Sequence, residues 1–356
     1  MKQNLYIFSD SLLKRRNNTI YFQKIIRDRN ELDNDSNIYE SILIGRDILI
    51  PSGDKKFVPV ENINAIFAFG ALHFNSLFLY FLSRHFIPLH IYSYAGKYAG
   101  SYLPLKEHRS GNILAKQLTH LQDAGKRLYI AKQFIKGAAV NQLTNLKYYN
   151  NRDAYLDEEI DYIETLNLKL DNTKSIGELM GIEGNIKKVY YSCWSKIFTY
   201  PVDFYKRVKN PPNNMINSLI SYGNMIVYAQ VLNEIYHSRL YPEIGYLHST
   251  GENKLPLSYD IAEIFKPIIT DRIIFKLINK RILHEKNFYI KNGFCRISKR
   301  AKQIFTQEFD SKLYSTINVR ELNKNLSFKS IIAQECNKLI THLNDEKTYK
   351  PFKMRW

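Results

Sequence analysis

The chain has 356 residues, 45% of them apolar, and carries 51 Lys and Arg against 34 Asp and Glu, a formal charge of +17. That length is comfortable for two domains. No apolar run of about 18 residues is present to span a membrane, and Met1-Lys2-Gln3 opens no cleavable signal pattern, so a soluble, cytoplasmic protein with no membrane partner is expected. Cys193, Cys295 and Cys336 are far apart and form no CxxC pair, which argues for reduced core thiols over a zinc knuckle or a disulfide framework. The positive surplus makes nucleic acid the expected partner, because each neutralised phosphate releases counterions and adds affinity. The 26 tyrosines can stack on unpaired bases or fill core and surface.

In chain order, residues 5–8, 19–22, 38–44, 47–50, 57–60 and 65–69 are short segments rich in aromatic and β-branched residues. They read as strands, punctuated by Arg16-Asn17-Asn18 and Pro51-Ser52-Gly53-Asp54. Residues 74–86 read as a short apolar helix and 87–92 as a final strand, followed by a loop over 93–103 with Gly96 and Gly100. Beyond it helical spacing prevails, over 112–147, 162–170, 182–197, 215–239, 257–283, 300–313 and 327–343. Residues 288–297, around Asn292-Gly293, read as a β-hairpin, and 208–214, with Pro211-Pro212, as a mobile loop. The expected fold class is α+β: a small N-terminal β domain over 1–100, then a larger, mainly α-helical domain over 101–356.

One stretch, 245–272, concentrates chemistry. His248 precedes a loop with Gly251, Asn253 and Pro256, and a helical segment then carries Asp260 and Glu263. Ile261, Ile264, Phe265 and Ile268 recur at the offsets of one apolar stripe, and the two acids lie together beside it, one turn apart. Carboxylate oxygens and a neutral imidazole suit a divalent cation, which also offsets repulsion between the acids. The same acidic pair is what a solvated helix face presents. Glu183, between Gly181 and Gly184, is a further candidate. Its small neighbours admit a ligand or another segment, although the helix start expected there also favours acids through capping and the dipole.

Met180-Gly181-Ile182-Glu183-Gly184, then Gly245-Tyr246-Leu247-His248, then residues 257–267 with Asp271-Arg272 following, form a series. In order and spacing it resembles the CRISPR adaptation integrases, the first of the CRISPR-associated core proteins, over essentially the whole chain. Ile87-Pro88-Leu89-His90 followed by Gly96 and Gly100 is similar to that family's last β-domain strand and Gly-x-x-x-Gly junction. Asn141-Gln142 and the ending from Tyr349 to Arg355-Trp356 are similar too.

The resemblance implies a β domain joined to a catalytic α domain, a homodimer, and a larger complex with the second small CRISPR-associated core protein. It implies Glu183, His248 and Glu263 as ligands of Mn²⁺ or Mg²⁺, with Asp260 as the neighbouring acid that supports them and Lys266 where an arginine is frequent. The implied activity is transesterification on double-stranded DNA, joining the 3′-OH ends of short fragments, the new spacers, to repeat DNA, with endonuclease activity. That exchange needs no ATP, in keeping with the lack of a GxxxxGK[ST] loop. Lys187, Lys188, Lys266, Arg272, Lys299 and Arg300 flank these motifs and are the candidate DNA contacts. Two alternatives stay open: a metal-dependent nuclease or resolvase on branched DNA, with water as nucleophile, and a non-catalytic basic DNA scaffold. A zinc hydrolase is disfavoured, since no HExxH occurs. The basic tail 347–356 either binds a partner or DNA or packs on its domain.

Overall fold

The computed structural model describes residues 2–28, 42–44, 47–93, 96–105, 110–209, 211–248, 255–291, 293–319 and 322–355. The chain divides into two compact units, Met1–Glu107 and His108–Trp356.

The first unit contains β1 (Gln3–Ile7), β2 (Ser11–Arg16), β3 (Thr19–Asp28), β4 (Ile42–Ile44), β5 (Asp47–Pro59), β6 (Ile63–Ala68), β7 (Leu72–His73), α1 (Ser76–Arg84), β8 (Leu89–Tyr92) and β9 (Tyr98–Tyr102). They make two sheets, of order β1-β6-β8-β9 and β4-β5-β3-β2-β7. β6 is buried along its whole length and pairs in parallel with β1 and β8, as a central strand covered on both faces must be. Leu13, Ile20, Ile66, Phe78, Leu82 and Leu89 gather in the core, with α1 contributing its apolar face.

Two expectations change here. Residues 47–50 and 57–60 are not separate strands: β5 runs through Pro51-Ser52-Gly53-Asp54 because its pairing with β3 shifts register between Phe22 and Lys24. Gly53, at φ +76°, supplies the left-handed backbone that such an irregularity uses. The loop expected over 93–103 contains β9, paired antiparallel to β8. Residues 38–41 of the expected strand 38–44 lie outside the described residues.

The second unit holds α2 (Gly111–Gln122), α3 (Ala124–Asn150), α4 (Asp157–Lys169), α5 (Ile176–Ser192), α6 (Trp194–Ile197), α7 (Met215–His237), α8 (Pro256–Phe265), α9 (Arg272–Asn279), the hairpin β10–β11 (Phe288–Lys291, Phe294–Ile297), α10 (Lys299–Tyr314), the hairpin β12–β13 (Thr316–Val319, Lys324–Ser327) and α11 (Phe328–Leu343). The α+β class therefore holds. The periodic run 112–147 is two helices, broken where the Asp123 side chain accepts the Lys126 N–H and caps α3. The second hairpin, β12–β13, is not among the expected elements.

α8 is the buried axis of this unit, packed against α3 and α7. Ile261, Ile264, Phe265 and Ile268 are fully buried, and each such side chain contributes roughly 1.5–3 kcal/mol of burial free energy. Pro267 has no N–H to return to the Glu263 carbonyl, and the chain widens into a π-turn over Pro267–Asp271, where the Asp271 N–H reaches back to the Lys266 carbonyl at 3.1 Å. Two buried asparagines of α3 serve the disturbed ladder: Asn141 donates to the Ile264 carbonyl and Asn145 to the Pro267 carbonyl, each at 2.8 Å. Asn141 also accepts the Met354 N–H at 2.7 Å. The chain's last segment is held further by buried Glu335, which accepts from the Tyr349 hydroxyl at 2.5 Å and the Phe352 N–H at 3.2 Å. Tyr349, Phe352 and Met354 thus pack on their own domain. The cysteines are free and buried, and among the described residues no helix is long and apolar enough to cross a membrane.

Candidate functional site

α8 carries two acids that are not on a solvated face: Asp260 is fully buried and Glu263 only 3% exposed. Each has a distinct set of partners. The Asp260 carboxylate accepts the backbone N–H groups of Tyr246 at 2.7 Å, Leu247 at 3.0 Å and His248 at 3.0 Å, and bonds the His248 ring at Nδ1 at 2.7 Å. Gly245 makes this approach feasible, since a Cβ there would meet Pro256 at 2.6 Å and the Asp260 carboxylate at 3.0 Å. With Nδ1 turned to Asp260, the ring presents Nε2 to whatever lies beyond.

Glu263 has both oxygens occupied. Oε1 accepts from Lys266 Nζ at 2.6 Å, and Oε2 lies 3.0 Å from Lys187 Nζ, which also pairs with Glu183 Oε1. Burial acts to raise the Glu263 pKa, but the ammonium groups of Lys187 and Lys266 outweigh it and hold the carboxyl well below its ordinary range, with His248 adding in the same sense. Burial likewise acts to lower the Lys187 pKa, and Glu263 and Glu183 overcome it, keeping the ammonium charged. Lys266 has a second anchor, the ring of Tyr228 at 4.6 Å.

Glu183 is mid-helix, not at a helix start. α5 begins at Ile176, where the Ser175 hydroxyl accepts the Glu178 N–H and the Glu178 carboxylate accepts the Lys174 N–H. The local pattern Ser175-x-x-Glu178 is itself a helix-start signal and overrides the reading taken from Gly181. A Cβ at Gly181 or Gly184 would meet nothing within 4 Å, so the helix surface flanking Glu183 is open.

Of the candidate residues, Glu183, Lys187, Glu263 and Lys266 come together, and His248 stands on Asp260 beside them. As the side chains stand, no group of three or more His, Cys, Asp or Glu among the described residues is close enough to hold a metal ion; the Lys187 ammonium takes the position between the two glutamates. The donor chemistry nonetheless fits a divalent cation, because one positive centre already reaches both carboxylates and the imidazole is oriented through its other nitrogen. Lys188, Lys299 and Arg300 are exposed, and among the described residues no hydrogen bond or ion pair ties them to this cluster. Arg272 lies over the Tyr148 ring at 4.6 Å and reaches Asn145 at 3.4 Å, so its planar group is engaged in packing against α3.

Sequence reading missed three contributors. Lys209 sits in the segment 208–214 read as a mobile loop and Arg207 directly precedes it, yet Asn217 fastens this stretch: its side chain accepts the Val208 N–H at 2.9 Å and an Arg207 N–H at 3.0 Å, and donates to the Lys206 carbonyl at 3.2 Å. Burial lowers the Lys209 pKa, Lys187, Lys266 and Arg207 lower it further by like charge, and Glu183 opposes them, so Lys209 feels the charges of the cluster. The third is Asp271 in the π-turn. Burial raises its pKa to about 7 despite the Tyr190 hydroxyl that donates to it at 3.0 Å. The Lys-rich composition around 206–209 is the available signal for the first two; Asp271 is visible in the sequence only as part of a motif.

The family model described as CRISPR associated protein Cas1 matches residues 5–311. A CRISPR-associated endonuclease Cas1 of Fusobacterium nucleatum subsp. nucleatum is 39% identical over 356 residues, covering 100% of this chain and 98% of that protein. The solved structure of a CAS1 protein from Thermotoga maritima is similar with a TM-score of 0.80 at 30% identity, over 98% of this chain and 100% of that one. A casposase bound to integration product is similar in fold, with a TM-score of 0.78 at 21% identity, over 99% of this chain and 93% of that one. The same motifs that build the cluster around Glu183 and Glu263 fall inside the matched span, and the chain belongs to the CRISPR-associated Cas1 family.

Proposed function

We propose that this protein is a divalent-cation-dependent DNA integrase of CRISPR adaptation, joining the 3′-OH ends of short DNA fragments to repeat DNA, with endonuclease activity at the same site. The observation that carries the reading is that Glu183 and Glu263, from separate helices, share one positive centre. Beside them His248 is locked by Asp260 in the orientation that exposes Nε2. Glu183, His248 and Glu263 are the residues that would hold Mn²⁺ or Mg²⁺. When bound, the ion supplies Lewis-acid polarisation of the scissile phosphate and charge stabilisation at phosphorus.

The chain's own groups do the rest. Asp260 fixes the ring and the 246–248 backbone, so the imidazole is preorganised rather than recruited. Lys266, steadied by Tyr228, and the neighbouring Arg207 and Lys209 offer positive charge to the phosphates on either side of the reacting one. In the joining step a P–O bond of repeat DNA breaks as the incoming 3′ oxygen bonds the same phosphorus, and the hydroxyl proton ends on the released 3′ oxygen. Bond count is unchanged, and no ATP is consumed.

A purely structural scaffold has no use for Glu263 buried between two ammonium groups, since taking such ions out of water costs several kcal/mol each and apolar packing would serve stability as well. A nuclease acting with water would use the same residues, so the distinguishing experiment scores joined and cut products side by side, with wild-type protein and His248→Ala on fragment and repeat DNA. Joining that depends on His248 supports the integrase, and cutting without joining supports the nuclease. The family resemblance extends the proposal to a homodimer and to assembly with the second small CRISPR-associated core protein on double-stranded DNA in the cytoplasm.

A further inference from the structure

We propose that Lys187 is a built-in counter-ion for the Glu183–Glu263 pair, displaced when a divalent cation binds, and that its released ammonium couples cation binding to capture of a DNA phosphate. This rests on the metal-binding reading of the site.

Lys187 Nζ contacts Glu183 Oε1 and lies 3.0 Å from Glu263 Oε2. A Mg²⁺-sized ion is held at roughly 2.0–2.1 Å from oxygen ligands, so an ion held by both carboxylates would compete with this ammonium for their oxygens. An ammonium and a dication cannot share that space, and one lysine has to leave.

The two lysines are not equivalent. Lys266 keeps an anchor off the carboxylates, the Tyr228 ring at 4.6 Å, and its side chain is 10% exposed. Lys187 is anchored by the two carboxylates the cation would take, and its side chain is 26% exposed. It has a way out as well. Gly184 lies one helical turn before Lys187 on the same face, and a Cβ there would meet nothing within 4 Å.

Charge counting then gives the coupling. Without a dication, Glu183 and Glu263 are balanced by Lys187 and Lys266. Replacing Lys187 on the carboxylates by a doubly charged ion leaves a surplus of two positive charges, in a neighbourhood that already holds Arg207 and Lys209. A phosphate relieves that surplus. Cation and DNA therefore favour one another, and by linkage each must tighten the other by the same factor.

The test measures Mn²⁺ binding to the full chain by electron paramagnetic resonance, with and without a short duplex, for wild type, Lys187→Met and Lys187→Arg. Without DNA, Lys187→Met binds Mn²⁺ about tenfold more tightly than wild type, whereas Lys187→Arg stays near the wild-type value. DNA tightens Mn²⁺ binding to wild type and does so much less for Lys187→Met. Melting temperatures provide a second readout: Lys187→Met is less stable than wild type in EDTA and recovers in Mn²⁺. A folded Lys187→Met that binds Mn²⁺ no better than wild type overturns the counter-ion role and leaves the metal reading standing. Absence of Mn²⁺ binding by wild type and variant alike overturns both.

Discussion

Asp260 and His248 are joined twice: one carboxylate oxygen of Asp260 takes the backbone N–H of His248 at 3.0 Å and bonds the ring Nδ1 at 2.7 Å. The other oxygen takes the N–H groups of Tyr246 and Leu247. The acid is thus a clamp on the loop that delivers the imidazole. Asp260→Asn keeps the shape but gives up one acceptor oxygen and the negative charge facing the ring. Mn²⁺ affinity should fall about 10–100-fold, with a lower melting temperature; a calorimetric Mn²⁺ titration beside a thermal melt checks both.

Glu183→Ala and His248→Ala each remove one of the proposed ligands while leaving the basic surface in place. Strand transfer should become undetectable in both, with affinity for duplex DNA within about threefold of wild type, since phosphate contacts supply most of the binding free energy. Strand transfer at the wild-type rate in either variant would rule out the assigned ligands.

Lys209 is close enough to Lys187, Lys266 and Arg207 to feel their charge. If it meets a phosphate, Lys209→Ala weakens DNA binding for all sequences alike. The slope of log affinity against log salt should become shallower by about 0.9, the value for one phosphate no longer neutralised. Unchanged affinity and slope would remove Lys209 from the interface.

Legibility from sequence follows the range of the interaction. The stripe through Ile261, Ile264, Phe265 and Ile268 is a property of one helix, so its spacing gives the buried face directly. The acids of α8 are visible as a pair, but their burial depends on α3 and α7 closing over them. Glu183 is found through its motif, while its helix begins earlier than the spacing predicts, at the cap formed by Ser175-Ile176-Gly177-Glu178. The Lys187 bridge joins α5 to α8 and has no local signature. Arg207 and Lys209 are hidden for the same reason: Asn217, on the next helix, is what holds their segment in place. In the first unit Pro51-Ser52-Gly53-Asp54 carries turn chemistry, and only pairing with β3 shows that a single strand passes through it.

Away from the site, Glu234 on α7 is buried and accepts from Gln230 at 2.8 Å and Asn233 at 3.2 Å. Burial raises its pKa to about 7, with Lys329, Asn233 and Gln230 opposing. A folded-state value above the ordinary 4.5 means the group's contribution to stability is fully present below about 4.5 and is lost as the pH rises through about 7. Glu234→Gln abolishes that loss. The stability of the variant relative to wild type should rise by on the order of 2 kcal/mol between pH 5 and pH 8, measured by urea unfolding at both values. Asp271, whose pKa is raised to about 7 as well, titrates in both proteins and cancels in the difference.

The most direct measurement is strand joining by purified protein, using an end-labelled DNA fragment and repeat DNA, in Mn²⁺ and in EDTA, for wild type and Glu263→Ala. Joined product from wild type in Mn²⁺ alone, and none from Glu263→Ala at equal DNA occupancy, is the predicted result. Joining by wild type in EDTA, or by Glu263→Ala in Mn²⁺ at an undiminished rate, would contradict a site built on two glutamates and one histidine sharing a cation.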